Sequence, residues 1–218
     1  MKHLTLFFLI LFIFTSCKKE EVSIAEKHSD DYRIQWIGHI YDSIEGIRKN
    51  YELLELLIPK DKNKDTLFNQ SKSYINGELD EKYSIYYDLE VIATEKKHVY
   101  KAFIQFHSEY SNLQTNEYKR DIEVSFLNYY RDSLAIETKN FDNTDSFEIE
   151  FVNYYNDRFT GRFIEYIEED IKEEPDKVIL HITKIVVTNK TTTSNFFIVN
   201  DSIFDQQKFS LKGMYKTE

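Results

Sequence analysis

The sequence predicts a mainly β protein: an antiparallel β-sandwich or barrel of about nine or ten strands, preceded by a helical segment. Three observations carry that prediction. From about residue 67 onward, apolar and polar residues alternate over short runs bounded by polar turns. Tyr (16) and Phe (17) are abundant while Gly (5) and Pro (2) are scarce, a bias toward side chains that fit pleated, half-buried surfaces. No helix-length crossover separates the runs, which argues against a doubly wound parallel sheet. At 218 residues the chain is long enough to bury one core without disulfides.

The elements follow in chain order. Met1-Lys2-His3 is a short basic start, and Leu4 to Phe14 is an apolar run of 11 residues. As a helix it would cover roughly 16 Å, about half of a ~30 Å hydrocarbon core, so it fits an export signal rather than a membrane span. Phe14-Thr15-Ser16-Cys17 follows, with small residues just before the only cysteine. An odd cysteine in an exported chain asks for a use other than an internal disulfide. These residues resemble the lipobox of bacterial lipoproteins, in the looser form of the Bacteroidota, with Phe14 and Ser16 departing from the commonest residues. The resemblance implies cleavage after Ser16, lipid attachment at Cys17 and residues 1–16 as the signal peptide. More than one acyl chain, at about 0.8 kcal/mol per methylene, anchors a protein stably. Lys19-Glu20-Glu21 resembles the sorting signal that carries some Bacteroidota lipoproteins to the cell surface; a periplasm-facing outer-membrane position is the alternative.

Residues 17–31 read as a polar tether, of roughly 20 Å root-mean-square reach. Residues 32–58 carry Ile34, Ile37, Tyr41, Ile44, Ile47, Tyr51, Leu54 and Ile58 at steps of three and four, which predicts an amphipathic helical segment ending at Pro59. Residues 67–218 form the predicted β domain. Asn76-Gly77 marks a two-residue hairpin turn, and rows such as Tyr100, Ala102, Ile104, Phe106 and Phe147, Ile149, Phe151 mark inward strand faces. Gly161 is expected at a bulge or a close approach. Lys177–Thr188 is apolar on both faces, which suggests a central strand, and Asn195–Val199 and Lys208–Leu211 complete the predicted strands. Asn153 to Lys184 resembles β-rich domains of Bacteroidota lipoproteins that carry a Gly-x-Phe strand followed by an alternating strand. Lys184-Ile185-Val186 stands where their closing motif would fall, and the resemblance implies fold alone.

A net charge of −10 repels phosphate backbones and anionic headgroups, so nucleic acid is not an expected partner. Asp61-x-Asn63-x-Asp65 has the alternating oxygens of a calcium loop, but Thr66 and Lys72 stand where Gly and the closing Glu are required. His28, His39, His98, His107 and His181 lack metal-ligand spacing, so no metal or cofactor is expected. Acylated Cys17 would leave no thiol, and no nucleophile elbow is present. Asp88/Glu90 and Glu148/Glu150 are same-face carboxylate pairs, as strands commonly carry on a wet face. Tyr86, Tyr129 and Tyr154, one from each adjacent tyrosine pair, are the candidate ligand contacts, since an outward ring can stack on a sugar. The chain therefore reads as a lipid-anchored outer-membrane or cell-surface protein with a non-catalytic binding or structural role. Its expected partner is an envelope protein or a glycan. The alternatives are a carboxylate-based hydrolase, or a lipid or small-ligand carrier if the sheet closes as a barrel.

Overall fold

Between Tyr32 and Thr193 the described residues form β-strands and their connections, with no helix. The computed structural model describes residues 32–44, 47–111, 118–171, 177–193, 195–199 and 215–216. The export signal, Cys17, Lys19, Glu20, Glu21 and the rest of the tether lie outside the described residues, as does the Lys208–Leu211 segment. The strands are β1 (Tyr32–Ile44), β2 (Ile47–Pro59), β3 (Leu67–Ile75), β4 (Glu78–Ala93), β5 (Val99–His107) and β6 (Tyr118–Tyr129). They continue with β7 (Leu134–Asp142), β8 (Ser146–Val152), β9 (Thr160–Asp170), β10 (Val178–Thr188), β11 (Thr192–Thr193) and β12 (Tyr215–Lys216). One helical turn, α1 (Phe196–Val199), lies between β11 and β12. The large sheet runs β11-β1-β2-β3-β4-β5-β8, with β12 also on β1, and the small sheet runs β10-β9-β6-β7. Their strand pairings are antiparallel. The molecule is a sandwich, not a closed barrel, and the carrier reading that required closure loses its basis.

The helical segment expected over residues 32–58 is instead the β1–β2 hairpin, in register from Tyr32 opposite Pro59 to Ile44 opposite Ile47. The periodicity misled because β2 is buried on both faces. Leu54 and Leu56 pack with Ile37, Ile58 and Phe68, while Leu57, pointing the other way, packs with Tyr32, Leu67, Val186 and Ile198. A strand covered on both sides shows no clean alternation, and its apolar residues then fall at three- and four-residue steps as readily as at two.

The main core lies between β4-β5-β8 and the small sheet. Ile104, Phe106, Phe147, Ile149 and Phe151 meet Ile122, Phe126, Phe159, Phe163 and Ile185, with Tyr87 and Leu89 packed at the margin. At about 25 cal/mol per Å² of apolar surface, this aromatic layer is the principal stabilising term. Gly161 is where a close approach requires it: a Cβ there would sit 2.7 Å from the buried Phe159 ring and 3.1 Å from the Ser125 carbonyl oxygen.

The Asn76-Gly77 turn forms as expected. Asn76 has φ 54° and Gly77 φ 84°, the left-handed pair that a two-residue hairpin demands. Gly77→Ala would place a Cβ in open space but in a backbone region that only glycine enters freely, so a loss of about 1 kcal/mol is expected, read by chemical denaturation.

Two further expectations are corrected. Asn195–Val199 is not a strand: Asn195 Oδ1 accepts the Phe197 amide, and a helical turn follows. β10 is an edge strand, not a central one. Its two-sided apolarity has a local cause, because Ile185 and Val187 enter the main core while Val186 enters the smaller cluster on the opposite face.

A side chain closes the corner between the two sheets. β3 departs from β4 after Ser71 opposite Ile85, and a bulge in β3, opposite Glu55 and Leu56 of β2, leaves Asn69 out of the ladder. Asn69 Oδ1 accepts the Val186 amide at 2.7 Å, and Nδ2 donates to the Val186 carbonyl at 2.9 Å. Nδ2 also donates to Glu55 Oε2 at 2.7 Å, as does Gln70 Nε2. Burial holds the Glu55 carboxyl above its ordinary range, against the pull of these amides and of Lys72. A raised native pKa means that the folded chain holds a proton more tightly than the unfolded one. The associated stability is therefore present below about pH 4.5, the ordinary value, and lost as pH rises through the native value. Thermal melts of Glu55→Gln should accordingly show a shallower decline in stability between pH 4.5 and neutrality than the parent; an unchanged slope would exclude Glu55 as its source.

Candidate functional site

Four connections gather at one end of the sandwich: the β4–β5 turn, the β6–β7 turn, the β8–β9 loop and the residues after β10. Two buried asparagines hold them. Asn128 Oδ1 accepts the Val152 amide at 2.7 Å. Asn153, 2% exposed, donates to Asn156 Oδ1 and to the Arg158 carbonyl and accepts the amides of Tyr155 and Asn156. Backbone bonds from Asn153 to the His98 carbonyl and from Tyr154 to the Tyr129 carbonyl join the three segments. On the fourth side Asn189 accepts the Phe159 amide and donates to the Asp157 carbonyl. Lys190, 2.8 Å from Asp157, holds that carboxyl below the usual carboxylate range.

This framework presents tyrosines to solvent. Tyr130, Tyr154 and Tyr155 are 40%, 39% and 46% exposed. Tyr154 stacks on the His98 imidazole with ring centroids 4.4 Å apart, and the Tyr155 hydroxyl donates to the Arg131 carbonyl at 2.6 Å. The Tyr154 and Tyr155 side chains are thus each held by a neighbour while remaining partly open to solvent. Rigid amphipathic rings of this kind give contact area at low entropic cost and suit sugar faces and protein surfaces alike.

Of the three tyrosines expected as ligand contacts, the structure brings Tyr129 and Tyr154 together here. Tyr154 is exposed as expected, while the Tyr129 side chain is half-buried. Tyr86 lies toward the opposite end and is only 4% exposed, so it is not available as a surface contact. Its ring is enclosed between the parallel His107 imidazole, 4.1 Å away, and the Lys72 ammonium, 4.3 Å from the ring centroid. Burial, with Glu81 and Asp88 nearby, pushes its hydroxyl pKa up to about 12. Trp36, expected on a helix, stands instead on β1, with Lys72 Nζ 5.9 Å from its ring. Tyr130 and Tyr155, the other members of their pairs, and His98, weighed in the sequence only as a metal ligand, were not expected as contacts. Which member of each tyrosine pair faces water depends on the path of the loop, which the adjacent pairs alone do not set.

The expected carboxylate pairs lie on the outer face of β4, β5 and β8, around a shallow depression of about 640 Å³ lined by Asp88, Glu90, Phe103, Gln105 and Glu148. Glu148 pairs with Lys101, and Lys96 lies 3.6 Å from Glu150. Asp88 is 67% exposed and sits 3.4 Å from His107 Nε2. The four acids are exposed to solvent.

The end opposite the tyrosines is held by buried charge. Arg120 Nε donates to Glu165 Oε1 at 2.7 Å, Ser108 Oγ donates to the same oxygen at 2.8 Å, and Arg120 Nη1 lies 2.6 Å from Asp145 Oδ1. Glu165 is 1% exposed, and burial raises its pKa despite the guanidinium. These contacts cross between the sheets, tying β6 and β9 to the ends of β5 and β8. Asp61-x-Asn63 forms a self-bonded turn, with the Asn63 amide on Asp61 Oδ1 at 2.9 Å. Among the described residues no three His, Cys, Asp or Glu side chains converge as metal ligands. Comparison with protein-family models, with curated proteins and with solved structures finds no match.

Proposed function

We propose that this chain is a lipid-anchored protein of the outer membrane, facing the cell surface, and that it binds rather than catalyses. Its ligand would be a glycan or the surface of another envelope protein, taken at the tyrosine-bearing end of the sandwich. The observation that carries the reading is the set of three exposed rings, Tyr130, Tyr154 and Tyr155, on two connections joined by the Tyr154–Tyr129 backbone bond, the second of them braced by Asn153. Loops held this firmly lose little entropy on binding, which is what a recognition surface needs. The anchoring half of the proposal rests on the Phe14-Thr15-Ser16-Cys17 resemblance and on the export-signal pattern before it.

The two halves are tested separately. For the anchor, Cys17→Ala should move the protein from the membrane fraction to the soluble fraction, and mass spectrometry should find acyl chains on Cys17 of the parent. An unmodified thiol sinks it. For the site, the parent should retain glycans on an array of bacterial surface polysaccharides or capture an envelope protein from detergent extracts. The Tyr154→Ala/Tyr155→Ala double variant should lose at least about tenfold in affinity with an unchanged melting temperature. Binding that survives the double variant places recognition elsewhere.

A further inference from the structure

Among the described residues no strand pairs with the outer edge of β10 along its first half, and that half of the strand is apolar. Val178, Ile179, Leu180 and Ile182 are 54%, 44%, 51% and 49% exposed, four large aliphatic side chains within five residues. The backbone direction follows from the ladder. In an antiparallel strand, alternate residues turn both amide and carbonyl to the same neighbour. Val186 spends both groups on Asn69, away from β9, and β10 pairs with β9 without a register shift. Residues of the same parity, Val178, Leu180 and Ile182, therefore direct their amides and carbonyls to that same side. Asn69 covers it at Val186, and among the described residues no strand covers it at Leu180 or Ile182.

The other sheet edges are guarded. β1 is paired by β11 and β12. β8 carries Glu148 and Glu150, and β7 carries Glu137, Lys139 and Asp142. Charges on an edge strand deter a second strand from docking. Residues 178–183, Val-Ile-Leu-His-Ile-Thr, carry no formal charge.

We propose that a second copy of this chain covers the β10 edge, by antiparallel pairing of β10 with β10 about a two-fold axis at Leu180. The strand is its own complement in that register. Val178 faces Ile182 of the second copy and Leu180 faces Leu180, so the residues with free backbone groups meet as hydrogen-bonded pairs. Their side chains form one row of six aliphatics, and the two four-stranded sheets merge into one of eight strands. A chain of net charge −10 meets itself here across a strand segment with no like charges to oppose. An isologous contact of this kind closes at two copies. Pairing over about six residues makes a small interface, so micromolar rather than nanomolar association is expected.

Sedimentation velocity of the full chain in mild detergent should show a monomer–dimer equilibrium below about 100 µM. Leu180→Lys, on a half-exposed side chain, should raise the dissociation constant at least about tenfold while leaving the melting temperature in place. Because any dimer could use another surface, a second measurement fixes the place. In a Cys17→Ser background, oxidised Leu180→Cys should yield a covalent dimer, since directly paired strand residues lie within disulfide reach, whereas Ile136→Cys on β7 should not. A parent that stays monomeric to 100 µM, a dimer indifferent to Leu180→Lys, or equal crosslinking at positions 136 and 180 would each overturn the proposal.

Discussion

Arg120→Met is expected to cost about 3–5 kcal/mol of folding stability, the range for removing one partner of a buried ion pair. The loss comes less from the vanished attraction than from what stays behind. Glu165 is 1% exposed and, among the described residues, would keep the Ser108 hydroxyl as its hydrogen-bond partner. The folded chain would have to bury an uncompensated carboxylate or take up a proton. For a chain of this length each kcal/mol lowers the melting temperature by roughly 2–4 °C, so calorimetry reads the effect directly. The double variant Arg120→Met/Glu165→Met should recover most of the loss, because an apolar pair of similar volume avoids the desolvation penalty altogether. Asp145, partly exposed in the parent, can turn to water in both variants. A single variant that melts within a degree or two of the parent would show that the ionic tie between the sheets contributes nothing net.

Asn69→Ala comes next, at about 3 kcal/mol. The substitution leaves the Val186 amide and carbonyl without partners and removes one of the two donors to Glu55. Buried polar groups stripped of their bonds cost about 1–3 kcal/mol each. Asn69→Asp sharpens the test. It preserves the shape and can still accept the Val186 amide, but it loses the Nδ2 donor and sets a second carboxylate against Glu55. If hydrogen bonding rather than side-chain volume carries the stabilisation, Asp should be worse than Ala at neutral pH and should recover on acidification. Equal losses in the two variants, independent of pH, would assign the effect to packing.

Strands with one wet face were legible in the sequence. Phe147, Ile149 and Phe151 alternate with Glu148 and Glu150, and β8 forms where that alternation lies. The hairpin at Asn76-Gly77 was legible because its backbone conformation admits few residue types. Strands buried on both faces were not. In β2, Leu53-Leu54-Glu55-Leu56-Leu57 serves two clusters at once, and nothing local distinguishes such a run from one side of a helix. In β10, the same two-sided apolarity was read as centrality, although it reflects burial on both faces in one half of the strand and an open edge in the other. At the candidate site, adjacent tyrosines on a strand or loop must point to different sides, and the path of the loop is set by two long-range backbone bonds, Asn153 to His98 and Tyr154 to Tyr129. The Arg120–Glu165 tie was invisible for a similar reason: its members stand 45 residues apart and meet only through the β6–β9 register.

The corner at Asn69 also bears on how the molecule comes apart. β3 shares only a short ladder with β4 before it turns away to the other sheet, so β1, β2 and β3 are joined to β10 as well as to the strands of their own layer. Cooperative units need not then coincide with sheets. Under native-state hydrogen exchange, the amides of β2 and β3 should open together with the last turns of β10, ahead of β5 and β8. The boundary between the two exchange classes should run through β4 at the break between Asp80 and Ile85, a frontier inside one continuous strand.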